Sequence, residues 1–245
     1  MKNNILNRKF IYNFSIFISN ILPICISRKI AASIAYVNYI LCSNARKNVE
    51  KNLSHVLDDS KKIKQTSKKI FLNYGAYLAD WAKLNHSAPD NFWKWFGNIE
   101  GYELVREGLK QGKGIILLTA HLGNWELGGF FFGSSNVAIN VVTAEDKIED
   151  IANIREKIRK DYNIKTITIK KDSYFFMDII DALKKNEMVA MLMDRYEGEN
   201  GIEIDFFGKP AKFPIGPVVL ARMTGAVIMP GFTVIGPDGK YKAFV

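Results

Sequence analysis

The chain has 245 residues, 48% hydrophobic and 24% charged, with two cysteines and a formal net charge of +9. One substantial core is within reach and one or two domains fit the length, while a disulfide framework is disfavoured and a cysteine-rich zinc site excluded, which suits a cytosol-facing catalytic part. Residues 1–70 carry 13 Lys/Arg against 3 Asp/Glu and the remainder 21 against 22, so the positive charge is not spread around a central site as nucleic-acid chemistry would favour.

Those N-terminal bases bracket an apolar run. Residues 10–26, FIYNFSIFISNILPICI, hold no charge and lie between Arg8, Lys9 and Arg28, Lys29; a second uncharged stretch covers 30–42. The first run has 17 residues, near the lower limit for crossing a bilayer, and Asn13, Asn20 and Pro23 weaken it. It can span with help from its flanks or lie in the interface with lysines against anionic headgroups. A cleaved signal peptide and a buried helix of a soluble protein are the other readings; membrane attachment is the preferred one.

Residues 44–57 place Ala45, Val49, Leu53, Val56 and Leu57 on one helical face, and 66–84 repeat the pattern with Ile70, Phe71, Tyr74, Tyr77, Leu78 and Trp81. Phe92, Trp93, Trp95 and Phe96 follow Pro89 and read as packing between helices or near headgroups. From residue 100 the rhythm changes. Helices are predicted over 101–111, from near Asn124, over 147–160, over 174–185 and around 217–223. Strands are predicted over 115–119, 137–142, 165–169, 188–193 and 226–233. Short apolar strands alternating with amphipathic helices indicate an α/β fold with a mainly parallel sheet flanked by helices. Gly236-Pro237-Asp238-Gly239 signals a turn into a returning strand over 241–245. The organisation read from the chain is an anchor or interfacial region over 1–43, a basic amphipathic helical region over 44–98, and an α/β core over 99–245. That core is expected to be shortened at its C-terminal side.

The stretch 115–129, IILLTAHLGNWELGG, carries the chemistry. His121 lies just past the end of a buried strand, where open α/β sheets gather their sites. Glu126 falls in the first turns of the next helix, so an intervening turn can bring its carboxylate to the imidazole. A carboxylate on one ring nitrogen fixes the tautomer and leaves the other nitrogen to take a proton from an attacking hydroxyl. Gly123, Gly128 and Gly129 permit close backbone approach, and the helix start at Gly123 and Asn124 offers N–H donors to developing negative charge. The competing reading makes His121 a satisfied core residue and Glu126 a complement to the helix dipole. The sequence has no G-x-S-x-G, G-x-x-x-x-G-K-[ST], G-x-G-x-x-G or H-E-x-x-H motif, and His55 and His86 read as structural.

AHLGNWELGG resembles the H-x4-D/E block of glycerolipid-type acyltransferases, in the HxGNWE form of the late lipid A acyltransferases. Further segments are similar to the same family. They are Asp194-Arg195-Tyr196-Glu197-Gly198, the stretch FFGKPA over 206–211, and Gly216-Pro217 with LARMTGA over 220–226, with Arg46 and Asn52-Leu53 earlier in the chain. The resemblance runs from about residue 8 to the end. It implies transfer of a fatty acyl chain from acyl carrier protein, or less often acyl-CoA, to a hydroxyl of a membrane lipid, with a lipid A precursor as the preferred acceptor. It implies no cofactor, no metal and no nucleic-acid partner. In that scheme His121 is the general base, Glu126 orients it, and the hydroxyl attacks the thioester directly. Arg159, Lys171, Arg195 and Lys209 are candidate phosphate-binding bases, and Asp194 is expected to position Arg195 or the loop backbone. The implied location is the cytoplasmic face of the bacterial inner membrane. Arg195 departs from the family pattern, where Gln is commoner.

Overall fold

A computed structural model describes residues 21–84, 89–145, 149–170, 174–196 and 201–245. It divides into two units, Met1–Ser87 with Phe207–Lys209, and Ala88–Phe206 with Pro210–Val245.

The first unit is helical. Helix α1 (Ile24–Leu41) starts directly after Pro23, whose fixed φ suits a helix entrance, and α2 (Ser43–Leu53) and α3 (Ser60–Leu84) follow. Helix α1 straddles both uncharged stretches and takes in Arg28 and Lys29; the residues before 21 in the first stretch lie outside the described residues. Helix α3 begins earlier than its apolar period suggests, because Asp59 caps it: Oδ1 accepts the N–H groups of Lys61 at 2.8 Å and Lys62 at 3.3 Å.

Helices α1 and α3 run in opposite directions along each other. Arg28 donates to both carboxylate oxygens of the fully buried Asp80 at 2.7 and 3.0 Å. Tyr39 meets Phe71 edge to face at 5.4 Å, and the Lys83 ammonium reaches the Leu22 carbonyl at 3.2 Å. Gly75 makes the contact close. A Cβ there would stand 2.6 Å from the Ala31 carbonyl oxygen and 2.9 Å from the Ala35 Cβ.

The second unit is the α/β layer that the alternation of elements predicts. A short 3-10 turn (Pro89–Trp95) leads into β1 (Phe96–Glu100), α4 (Tyr102–Lys110), β2 (Ile115–Thr119), α5 (Trp125–Ser134) and β3 (Ile139–Ala144). Next come α6 (Glu149–Asp161), β4 (Ile164–Ile169), α7 (Phe175–Lys184), β5 (Met188–Leu192) and the hairpin of β6 (Gly201–Phe206) with β7 (Lys209–Pro214). Helix α8 (Gly216–Thr224), β8 (Val227–Pro230), β9 (Phe232–Ile235) and β10 (Tyr241–Phe244) complete it. The main sheet is wholly parallel, in the order β4-β3-β5-β2-β8. Its central strands are apolar on both faces because both faces are covered.

On one face Ile116, Val189, Met191 and Ile167 pack with Ile179 and Leu183 of α7 and Leu220 of α8. Helix α5 covers the other. Helix α5, which follows β2, and helix α8, which follows β5 by way of the hairpin, thus cover opposite faces, the arrangement that opens a crevice beyond the carboxyl ends of those strands.

Two features depart from the sequence reading. The single strand expected over 226–233 is two. At Gly231 the chain leaves the main sheet, its N–H donating to the Leu118 carbonyl at 2.8 Å, and a Cβ there would stand 2.7 Å from the Leu117 Cδ1. Strand β9 then pairs antiparallel with β10, which lies parallel to β1 in a second, three-stranded sheet. The aromatic cluster after Pro89 feeds this sheet: Phe92 is fully buried, with Phe96 and Tyr162 at 5.2 and 5.7 Å between ring centres. The turn at 236–239 is present, its Gly239 N–H bonded to the Gly236 carbonyl at 3.0 Å.

Candidate active site

The parallel pairing of β2 with β5 sets Thr119 opposite Leu192. Both chains continue two residues beyond those ends, one to His121 and the other to Asp194, and the register carries them to the same level. The Asp194 carboxylate uses both oxygens on His121. Oδ2 accepts the backbone N–H at 2.9 Å, and Oδ1 lies 3.0 Å from the ring Nδ1. With the carboxylate ionised, Nδ1 carries the proton and Nε2 presents a lone pair. The Trp125 ring meets the imidazole edge to face at 4.9 Å, fixing the ring plane from the other side. The His121 side chain is 40% exposed.

Glu126 does not supply that contact. It lies in the first turn of α5 and bonds the Arg159 guanidinium of α6 at 3.0 Å, the two side chains being 10% and 6% exposed. A carboxylate so deeply placed requires a cation, and the last turn of α6 delivers one. Arg159 also reaches the Thr166 hydroxyl of β4 at 3.4 Å, so the pair ties α5 to α6 and β4. The expectations for Glu126 and Arg159 therefore change together. The carboxylate expected on the imidazole, and the guanidinium expected on a phosphate, are bonded to each other.

Asp194 was expected to serve Arg195 or the loop backbone, and it does bond a backbone N–H, that of His121; the ring contact is what sequence reasoning missed. The legible signal is the equal two-residue overhang of TAH and LMD beyond paired strand ends.

Gly123 and Asn124 make the turn that aims α5. Gly123 has φ +67° and is bridged to Thr233, whose carbonyl occupies the space a Cβ would need. Asn124 is buried and caps α5, its Oδ1 accepting the Leu127 N–H at 3.1 Å while its Nδ2 points to the Tyr241 hydroxyl at 3.3 Å. Its own N–H donates to the Thr233 carbonyl at 2.8 Å. That is a correction to its expected part as an oxyanion donor, since the group is already committed. The bridge does not use the Gly123 N–H.

The remaining candidates are placed as follows. Arg195 is exposed directly after Asp194. Lys209 groups with the first unit, where its Nζ lies 3.2 Å from His55 Nδ1. Lys171, like His86, Glu197 and Gly198, falls outside the described residues.

An apolar cavity runs between α5 and the sheet. Leu117, Val141 and Ala190 form its sheet side, Gly129 and Phe132 its helix side, and Thr119, Trp125 and Glu126 the part nearest the histidine in sequence. Gly128 and Gly129 leave the helix without side chains there; a Cβ at Gly129 would rest 3.8 Å from both Ile164 Cδ1 and Val141 Cγ2. The cavity thus reaches Thr119, Trp125 and Glu126, which lie close to His121 in the chain, while His121 itself is not among its lining residues.

Comparison with known proteins gives the chain's relatives. The chain is 26% identical over 133 residues to a phosphatidylinositol mannoside acyltransferase of Mycobacterium tuberculosis, a match covering 54% of this chain and 42% of that protein. It is 30% identical over 155 residues to the lipid A biosynthesis lauroyltransferase of Escherichia coli, covering 62% and 49%. The chain thus spans about half the length, or less, of the curated relatives it matches. A family model described as bacterial lipid A biosynthesis acyltransferase matches residues 3–245. The chain belongs to the bacterial lipid A biosynthesis acyltransferase family.

Proposed function

We propose that the protein transfers a fatty acyl chain from a thioester to a hydroxyl of a membrane glycolipid, with His121 as the general base. The observation that carries this reading is the two-point grip of Asp194 on His121. In the proposed reaction the acceptor hydroxyl approaches the thioester carbonyl beside Nε2. As the oxygen–carbon bond forms, the hydroxyl proton passes to Nε2, and Asp194 stabilises the imidazolium; such base catalysis contributes about 10²–10⁴-fold. The carbonyl oxygen becomes an oxyanion, for which the Gly123 N–H is the candidate donor. Collapse of this intermediate breaks the carbon–sulfur bond, and the thiolate leaves with the proton held on Nε2. No acyl-enzyme forms, and the base is regenerated.

The cavity lined by Gly129, Phe132 and Val141 supports a hydrocarbon donor, since an apolar channel excludes water and takes alkyl surface at about 25 cal/mol per Å². Acyl carrier protein is the proposed thioester carrier, with acyl-CoA the lesser alternative. A lipid A precursor is the first choice of acceptor. A phosphatidylinositol mannoside-like glycolipid is the second, favoured by the mycobacterial relatives. Placement on the cytoplasmic face of an inner membrane fits helix α1, which is long and apolar enough to cross a bilayer by length and composition, and only 11% of which is buried.

The test incubates membranes carrying the full chain with labelled acyl carrier protein and a tetra-acylated lipid A precursor or a phosphatidylinositol mannoside. Transfer to either lipid, abolished by His121→Ala, supports the reading. Transfer that survives His121→Ala removes the assigned base. Absence of transfer to both, with lipid binding intact, favours a non-catalytic lipid-binding role.

A further inference from the structure

We infer that helix α1 lies flat in the membrane surface rather than crossing it, immersing one face in an anionic phospholipid bilayer. The inference deepens the proposed membrane-lipid chemistry and rests on it for the nature of the partner.

The exposed side of α1 is almost wholly apolar. Ile26, Ile30, Ile34, Val37, Ile40 and Leu41 are exposed there. They recur at spacings of three and four, so they share one side of the helix. The opposite side is taken. Ala31 and Ala35 press on Gly75, Arg28 is paired with buried Asp80, and Tyr39 rests on Phe71. Helix α3 is thus fastened along α1, and any position for α1 is a position for α3 as well.

A spanning α1 fails on the charges fastened along it. A bilayer needs about 30 Å free of charge. The Arg28–Asp80 pair marks one level on α1, and Lys68, whose ammonium sits 4.4 Å from the Tyr36 ring centre, marks another. Residues 28 and 36 are eight apart, or about 12 Å along a helix. Crossing would draw Lys68, Lys69 or the Arg28–Asp80 pair into hydrocarbon. Lying flat draws in none of them.

The edge of the apolar face is equipped for a headgroup layer. Lys29 is exposed on α1, Tyr36 is exposed beside Lys68, and Lys69 follows on α3. Aromatic rings and snorkelling lysines at the border of an apolar stripe are the pattern of interfacial helices on anionic lipid. A second copy of this chain would bring the same lysines together against one another, so charge favours lipid.

The test uses the full chain with Cys25→Ser and Cys42→Ser, and single replacements Ile26→Cys, Ile30→Cys, Ile34→Cys, Val37→Cys and Leu41→Cys. Each carries an environment-sensitive fluorophore. Vesicles of phosphatidylglycerol and phosphatidylethanolamine are labelled with nitroxides at shallow or deep acyl positions. All five sites should shift to the blue and be quenched most by the shallow nitroxide, at one common depth. A depth profile deepest near Ile34 and shallow at both ends would establish a span and overturn the inference. No spectral change at any site, in protein that sediments with the vesicles, would mean that protein covers the face, and would overturn it equally; so would failure to sediment.

The triple change Lys29→Gln, Lys68→Gln and Lys69→Gln should weaken binding to these vesicles on the order of 100-fold, with little effect on neutral ones. Equal loss on both would refute the charge argument. Acyl transfer measured in detergent micelles separates the two proposals. Flat insertion without transfer removes the enzyme reading alone, and transfer without flat insertion removes this one alone.

Discussion

Arg159→Met strips Glu126 of the cation that faces it within the second unit. Their side chains are only 6% and 10% exposed, so little water replaces the lost guanidinium, and the carboxylate is left buried at a cost of about 3–5 kcal/mol. For a domain of this size each kcal/mol moves the melting temperature about 2–4 °C, giving a fall of roughly 6–20 °C. Glu126→Leu should cost a similar amount by stranding Arg159. The double variant removes both charges, and its loss should fall short of the summed single losses by about 1–3 kcal/mol. Denaturant and thermal melts of the purified full chain, followed by circular dichroism, measure this coupling. Additivity within about 0.5 kcal/mol would refute the pairing. So would loss of acyl transfer in Glu126→Gln at unchanged stability, since that outcome places the carboxylate on the imidazole.

Three further outcomes follow from the geometry. Gly123→Ala forces a side chain onto the Thr233 carbonyl at positive φ and should destabilise by about 1–3 kcal/mol; a melt equal to the parent's would contradict the described turn. Gly129→Leu should fill the channel beside Ile164 and Val141 and move donor preference toward shorter acyl chains, read by competition between donors of different length; unchanged preference would remove the channel from the account. Burial, aided by Asp161, pushes the Tyr162 phenol from 10.0 up to about 12. The folded state therefore keeps the phenol neutral where the unfolded chain ionises it. Its contribution to stability is whole below pH 10 and is lost as pH rises toward 12. Tyr162→Phe should flatten that alkaline decline in urea melts, and an unchanged decline would rule out Tyr162 as its source.

How much of this was legible in the sequence depends on how local the signal is. Strands such as IILLT at 115–119 announce themselves because burial on both faces needs apolar side chains throughout. The turn at Gly123 and the helix after Asn124 are equally local. Strand β1 was hidden, because its residues 96–100 read FGNIE and gain their place only by pairing with β10, far away in the chain. The break at Gly231 carried a local signal in Pro230-Gly231 that the apolar run VIMPGFTVI over 227–235 outweighed, and packing of Leu117 and the bond to Leu118 fix where the chain leaves the sheet.

At the site, position in the chain misled. Glu126 is five residues from His121 and looks available, yet the left-handed turn at Gly123 separates them and Arg159 claims the carboxylate. Asp194 is 73 residues away and reaches the ring because β2 and β5 are neighbours in register. Adjacency in a sheet cannot be read from one strand. It becomes visible only once the order of strands is known.

Nitrogen-15 spectra of the His121 imidazole in the labelled full chain address the proposed proton-accepting group itself. The Asp194 contact requires the proton on Nδ1 and the proposed base role a bare Nε2, a state that Asp194→Ala should abolish and Glu126→Gln should preserve. A proton on Nε2 in the parent protein, or a tautomer indifferent to Asp194→Ala but lost in a folded Glu126→Gln, would contradict the assignment of His121 and Asp194 as the working pair.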